Sequence, residues 1–129
     1  MPLATVLVVE DDPLVRSFLR AALEDRVRVL EVEDGEAALD VLARRLGERV
    51  ALALVDQVIP KRSGLDVVRE ARRRWPWVPV VLITGFGSEE ILNDAFRLGA
   101  SVVLSKPFAI EDLRRVVACF LAPGAVQRR

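Results

Sequence analysis

Five side chains able to do chemistry stand at one recurring kind of position: Glu10 and Asp11, Asp56, Thr84 and Lys106 each fall just after a short apolar run. Crowded carboxylates repel one another, and a hard divalent cation such as magnesium relieves the repulsion with oxygen ligands while keeping several of its waters. A carboxylate in such a cluster can attack a phosphoryl group if cations offset the transferred charge and a hydroxyl receives one of its oxygens. Glu10, Asp11 and Asp56 suit the cation, Lys106 offers a compact positive charge, and Thr84 offers the hydroxyl. Gly85 beside Thr84 leaves room where a side chain would crowd the phosphoryl group. Each residue alone also has a plain structural reading, as helix cap, strand-end residue or surface charge. That reading suffices for Asp12, because Asp12-Pro13 is a helix cap with proline at the first helical position. For the other five, their joint arrangement argues against it.

The elements that must position these residues follow from periodicity. Apolar runs at 6–9, 51–55, 78–83 and 102–104 read as strands, with a further strand at 27–32, and the stretches between them repeat at helical spacing. Strands alternating with helices imply a parallel sheet. In an open parallel sheet a reactive site lies outside the carboxyl ends of the strands, where strand order reverses, so the five side chains share one crevice. The first helix is expected from Pro13 to about Leu23, with Leu14, Val15, Phe18, Leu19 and Ala22 on its apolar face. Asp34 caps a second helix whose inner face is Ala38, Val41, Leu42 and Leu46, and Gly47 ends it. Ser63 with Asp66 resembles a capping box for a third helix, buried through Leu65, Val68 and Trp75 and stopped by Pro76. A fourth helix is expected at 88–98, ended by Gly99, and a fifth at 109–121, with a frayed tail beyond. No internal repeat, linker or second domain is visible.

Composition excludes several classes. A chain of 129 residues makes one domain with a single core, and its 19 basic and 19 acidic residues leave no net field to hold nucleic acid or an anionic membrane directly. No apolar run approaches the roughly 18 residues of a membrane helix, and the N-terminus lacks a signal peptide's basic flank, so the chain reads as cytoplasmic. With no histidine, the chain has no serine or cysteine hydrolase triad, no histidine-ligated metal and no phosphohistidine of its own. The lone Cys119 reads as a buried thiol among Leu113, Val116, Val117 and Phe120. Only two of the 19 basic residues, Lys61 and Lys106, are lysine, which makes lysine the less ordinary choice here. Gly85-Phe86-Gly87 has Glu90 where a dinucleotide loop needs its third glycine, so no nucleotide cofactor is indicated. Arg72, Arg73 and Arg74 read as a solvated helix face, and Trp75-Pro76-Trp77 as an exposed aromatic patch.

Taken in order, Val8-Val9-Glu10-Asp11-Asp12-Pro13, Leu54-Val55-Asp56-Gln57-Val58-Ile59-Pro60 with Gly64, Ile83-Thr84-Gly85, and Gly99-Ala100 followed by Ser105-Lys106-Pro107-Phe108 resemble the receiver domains of bacterial two-component response regulators. The resemblance implies an α/β, doubly wound, five-stranded parallel sheet of flavodoxin-like order 2-1-3-4-5 with five helices. It implies a receiver over 1–122 and a short flexible tail over 123–129. Asp56 would be the phosphoacceptor, taking its phosphoryl group from the phosphohistidine of a sensor kinase or from a phosphotransfer protein. Asp11, Asp56 and the backbone carbonyl of Val58 would bind Mg2+, with Glu10 helping through water. Lys106 and Thr84 would contact the phosphoryl oxygens, and the Lys106-Pro107 bond would be cis.

The product would be a shift in partner binding rather than turnover, read by a downstream protein on the face formed by the fourth helix, fifth strand and fifth helix. A homodimer is left open. The chain departs from the family at Val103, where a tyrosine or phenylalanine usually stands, so no rotating aromatic reports the state. Phe86 reads first as loop packing and second as a mobile apolar element in its place. A haloacid-dehalogenase-type phosphatase would want an acid at Val58, and a flavodoxin would want a hydroxyl-rich loop where Glu10, Asp11 and Asp12 stand. The stronger alternative is a degenerate receiver acting as a phosphorylation-independent interaction module. Its mark would be loss of Asp56, Asp11 or Lys106, and all three are present.

Overall fold

The computed structural model describes residues 3–44, 49–85 and 89–121. Strands β1 (Thr5–Val9), β2 (Arg28–Val32), β3 (Val50–Asp56), β4 (Val80–Thr84) and β5 (Val102–Ser105) alternate with helices α1 (Pro13–Leu23), α2 (Gly35–Ala43), α3 (Gly64–Arg74), α4 (Glu89–Leu98) and α5 (Ile110–Leu121). All four neighbouring strand pairs are parallel, in the expected order β2-β1-β3-β4-β5.

The apolar runs are nearly continuous because β1, β3 and β4 are covered on both faces. Alternate residues go to opposite layers. Leu7, Val9, Ala53, Val55, Val80 and Leu82 pack with residues of α2, α3 and α4, whereas Val6, Val8, Leu52, Leu54, Val81 and Ile83 pack with those of α1 and α5. The edge strand β5 is half-buried, and Val103 faces the α2–α4 layer.

The caps hold as expected. Asp12 accepts from the amides of Leu14 and Val15 with Pro13 opening α1, Asp34 accepts from Ala37, and Ser63 and Asp66 form a reciprocal capping box. Two glycines are dictated by close approach. A Cβ at Gly64 would lie 2.6 Å from Leu82 Cδ1 and 2.7 Å from the Asp56 carbonyl oxygen, and one at Gly35 would lie 2.4 Å from Arg62 Cβ. Gly99 closes α4 at φ +106°, the left-handed conformation that glycine accepts.

Four expectations change. Leu14 and Phe18 are exposed, because the buried line of α1 runs through Leu19, Ala22 and Leu23 and these two lie on its flank. Cys119 is exposed rather than buried: Leu113 and Val117 set the inward face of α5, and Cys119, two residues past Val117, lies about 200° around the helix from it. In α3 the buried stripe is Val67, Val68 and Ala71, while Leu65 and Trp75 are half-buried. The aromatic pair splits: Trp75 covers the core end under the Arg74 guanidinium, 4.5 Å from its ring centre, and only Trp77 is exposed. Leu46, Gly47, Phe86, Ser88 and the 122–129 tail lie outside the described residues.

Candidate functional site

Strand order reverses between β1 and β3, and the residues that leave these strands meet there. Val9 pairs with Val55 across the ladder, so Glu10 and Asp56 are the next residues along on the two strands. The amide of Glu10 still donates to the Val32 carbonyl at 3.1 Å, which keeps Glu10 in line with the sheet, whereas Asp11 turns outward into the loop before α1. Carboxylate oxygens of Glu10, Asp11 and Asp56 lie within 4.8 Å of one another, with Glu10 3% and Asp56 6% exposed and Asp11 open to solvent.

One cation lies directly on this cluster. Lys106 Nζ is 3.0 Å from Asp56 Oδ1. The lysine is placed by its backbone: Thr84 pairs with Ser105, the Lys106 amide donates to the Thr84 carbonyl at 2.7 Å, and the Lys106-Pro107 peptide is cis. Thr84 is buried at the end of β4, one residue past Ile83, the partner of Asp56. A Cβ added to Gly85 meets nothing within 4 Å, so the packing of the described residues leaves that position open. All five side chains singled out in the sequence therefore sit at the carboxyl ends of three neighbouring strands and the loop after a fourth.

Burial pushes the Glu10 carboxyl above its ordinary range. The amide of Asp12, which donates to Glu10 Oε2 at 3.1 Å, opposes the shift; the charges of Asp56 and Asp11 add to it, and that of Lys106 opposes it. The cluster thus holds more negative charge than its one lysine offsets. Its donors are hard anionic oxygens with no nitrogen or sulfur, a set that fits Mg2+ and not a zinc or copper centre.

The loop between β3 and α3 is tied down on two sides. Gln57 Oε1 accepts from the Leu65 amide at 2.9 Å, and the Gln57 carbonyl accepts from Gly64 at 3.0 Å. The Pro60 carbonyl accepts from Gly35 of α2 at 3.2 Å, and Lys61, at φ 72°, reaches Asp34 at 3.7 Å. Between these anchors Val58 presents its side chain to solvent, 79% exposed. Gln57 and Arg16 also border the site, although their spacing in the sequence does not single them out. Arg16 was visible as a lone basic residue between Val15 and Leu19 on the α1 face, and its side chain donates to the carbonyl oxygens of Glu10 and Asp11.

Residues 6–118 match the family of the response regulator receiver domain. The chain belongs to that family. Among curated relatives, this receiver is 36% identical over 113 residues to the KDP operon transcriptional regulatory protein KdpE of Escherichia coli K12, a match spanning 87% of this chain and 48% of KdpE. It is 35% identical over 111 residues to a cyclic di-GMP phosphodiesterase of Thermotoga maritima, spanning 85% of this chain and 29% of that protein. The receiver therefore covers less than half the length of either relative. The crystal structure of a response regulator receiver domain protein from Clostridium thermocellum superposes with a TM-score of 0.86 at 26% identity, covering 94% of this chain and 96% of that one. No described helix of the receiver is long and apolar enough to cross a membrane.

Proposed function

We propose that this receiver is a phosphoacceptor switch in which Asp56 accepts a phosphoryl group from the phosphohistidine of a sensor kinase or a phosphotransfer protein. The observation that supports the reading most is the carboxylate cluster of Glu10, Asp11 and Asp56 with Lys106 Nζ 3.0 Å from the Asp56 oxygen. Mg2+ would be held by Asp11, Asp56 and the Val58 carbonyl, with Glu10 contributing through water. It would supply charge neutralisation between the nucleophile and the incoming phosphoryl oxygens.

The chain's own residues do the rest. A carboxylate oxygen of Asp56 forms the new P–O bond as the P–N bond breaks, and the electron pair of that bond returns to the donor's imidazole nitrogen. Lys106 exchanges its contact with Asp56 for one with a phosphoryl oxygen, and the Thr84 hydroxyl donates to another. Engaging Thr84 biases the surface of α4, β5 and α5, which a downstream protein reads. Val103 takes no part as a rotating ring: it is a β-branched residue packed against the α2–α4 layer. The unit concerned is residues 1–122. The rival reading, a phosphorylation-independent module, has no observation in its favour.

The test is intact mass after incubation with acetyl phosphate and magnesium, for the native chain, for Asp56→Asn and for a chelated sample. One phosphoryl adduct that both controls lose establishes the acceptor and its metal requirement. No adduct and no beryllofluoride binding would overturn the reading.

A further inference from the structure

Two cations flank the acidic crevice and touch it in different ways. Lys106 meets a carboxylate oxygen of Asp56, which a metal or a phosphoryl group would also claim. Arg16, one turn into α1, reaches backbone instead: its Nη1 donates to the Glu10 carbonyl at 2.9 Å and, more weakly, to the Asp11 carbonyl at 3.5 Å. The guanidinium is itself held. Its Nε lies 3.4 Å from Glu31 Oε1 on β2, its Nη1 lies 4.0 Å from Glu33, and the side chain is only 18% exposed. Arg20 takes the other oxygen of Glu31, so a row of alternating charges backs the contact.

We propose that Arg16 is a positioning residue for the metal site, an inference that rests on the magnesium reading above. Because a peptide is planar, holding both the Glu10 and the Asp11 carbonyls restrains the peptides on either side of the Asp11 Cα, and with them the direction in which the Asp11 side chain leaves the chain. The same guanidinium occupies none of the cluster's ligand oxygens. Lys106 has to yield its contact; Arg16 does not. Lysine at position 16 would bring charge without the planar fork that spans carbonyl and carboxylate partners together. The effect belongs with outer-sphere groups that orient ligands, whose loss weakens metal binding by about tenfold or more.

The experiment is a calorimetric magnesium titration of the full chain for the native protein, Arg16→Met and Arg16→Lys. Melting temperature and amide hydrogen exchange at Asp11 and Asp12 are measured on the same metal-free samples. Arg16→Met should weaken magnesium binding about tenfold and Arg16→Lys by less, with faster exchange at both amides. At saturating magnesium the acetyl phosphate reaction should return to within about twofold of native, a split that separates positioning from chemistry. Unchanged magnesium affinity in a folded variant, with only the melting temperature lowered, overturns the proposal and leaves the magnesium reading standing. If Arg16→Met does not fold, native affinity in Arg16→Lys overturns it equally. If the native chain takes up no magnesium, the functional reading fails, while faster exchange at Asp11 and Asp12 still assigns Arg16 the holding of the loop.

Discussion

At the end of the sheet where the strands begin, charge is settled locally. Arg26 pairs with Asp25, Arg72 donates to the Pro76 carbonyl, Arg73 pairs with Glu70, Arg97 with Asp94, and Arg74 lies over the Trp75 ring. At the end where the strands finish, Glu10, Asp11 and Asp56 crowd together around one lysine. The carboxyls of Glu70 and Glu10 shift in opposite directions. The Arg73 guanidinium beside Glu70 holds its carboxyl below the usual range, whereas burial pushes Glu10 up. Basic residues near helix C-termini also suit the helix dipole, so the arginine end is favourable at rest. The carboxylate end is unfavourable at rest and becomes favourable when something positive enters. A neutral chain can therefore hold a local field by leaving one cluster of charges under-compensated.

Substitutions at the two ends should differ accordingly. Lys106→Met should slow phosphorylation by acetyl phosphate about 100-fold, since it removes a cation that faces the transferred group, while magnesium binding, measured by calorimetry, tightens because Asp56 loses a competitor. Gly64→Ala forces a Cβ against Leu82 and the Asp56 carbonyl; it should cost about 2 kcal/mol and lower Tm by about 8 °C in a calorimetric scan.

Glu10→Gln should raise the Tm of metal-free protein by ~3 °C at neutral pH. The sign follows from the raised carboxyl: the folded state holds this proton more tightly than the unfolded one, so the native chain loses stability as pH climbs from the ordinary value of 4.5 through the folded value. Below that window the two proteins should melt alike, and a Tm gap that persists there would refute the assignment. Arg73→Ala at the opposite end should move Tm by no more than about 1 °C and leave magnesium binding unchanged. A large effect there would break the contrast between the ends.

Much of this is legible in the sequence alone. Asp12-Pro13, Asp34 and the Ser63–Asp66 box sit where the caps form, because capping is decided within four residues. The site residues were legible because parallel strands bring their carboxyl ends together whatever the loops do. Orientation around a helix was harder. Leu14, Phe18 and Cys119 fit an apolar pattern, yet a neighbouring layer covers only part of a helix, and residues on the flank of that strip stay wet. Arg16 and Gln57 escaped for another reason: their partners are backbone atoms in loops, and sequence spacing does not say which way a carbonyl turns. The open space at Gly85, by contrast, follows from the sequence, because a glycine beside Thr84 brings no side chain to fill it.

Trp75 and Trp77 stand just before β4, and Thr84 ends it. At about 3.3 Å per strand residue, β4 alone puts roughly 13 Å between the end that bears the indoles and the end that bears the carboxylates. That spacing shapes the chain's intrinsic fluorescence. An ion entering the crevice is too far away to quench either ring by contact, so any change in emission on adding magnesium or beryllofluoride has to travel along β4 or the helices beside it. The tryptophans are a built-in optical probe of conformational spread, silent to occupancy alone.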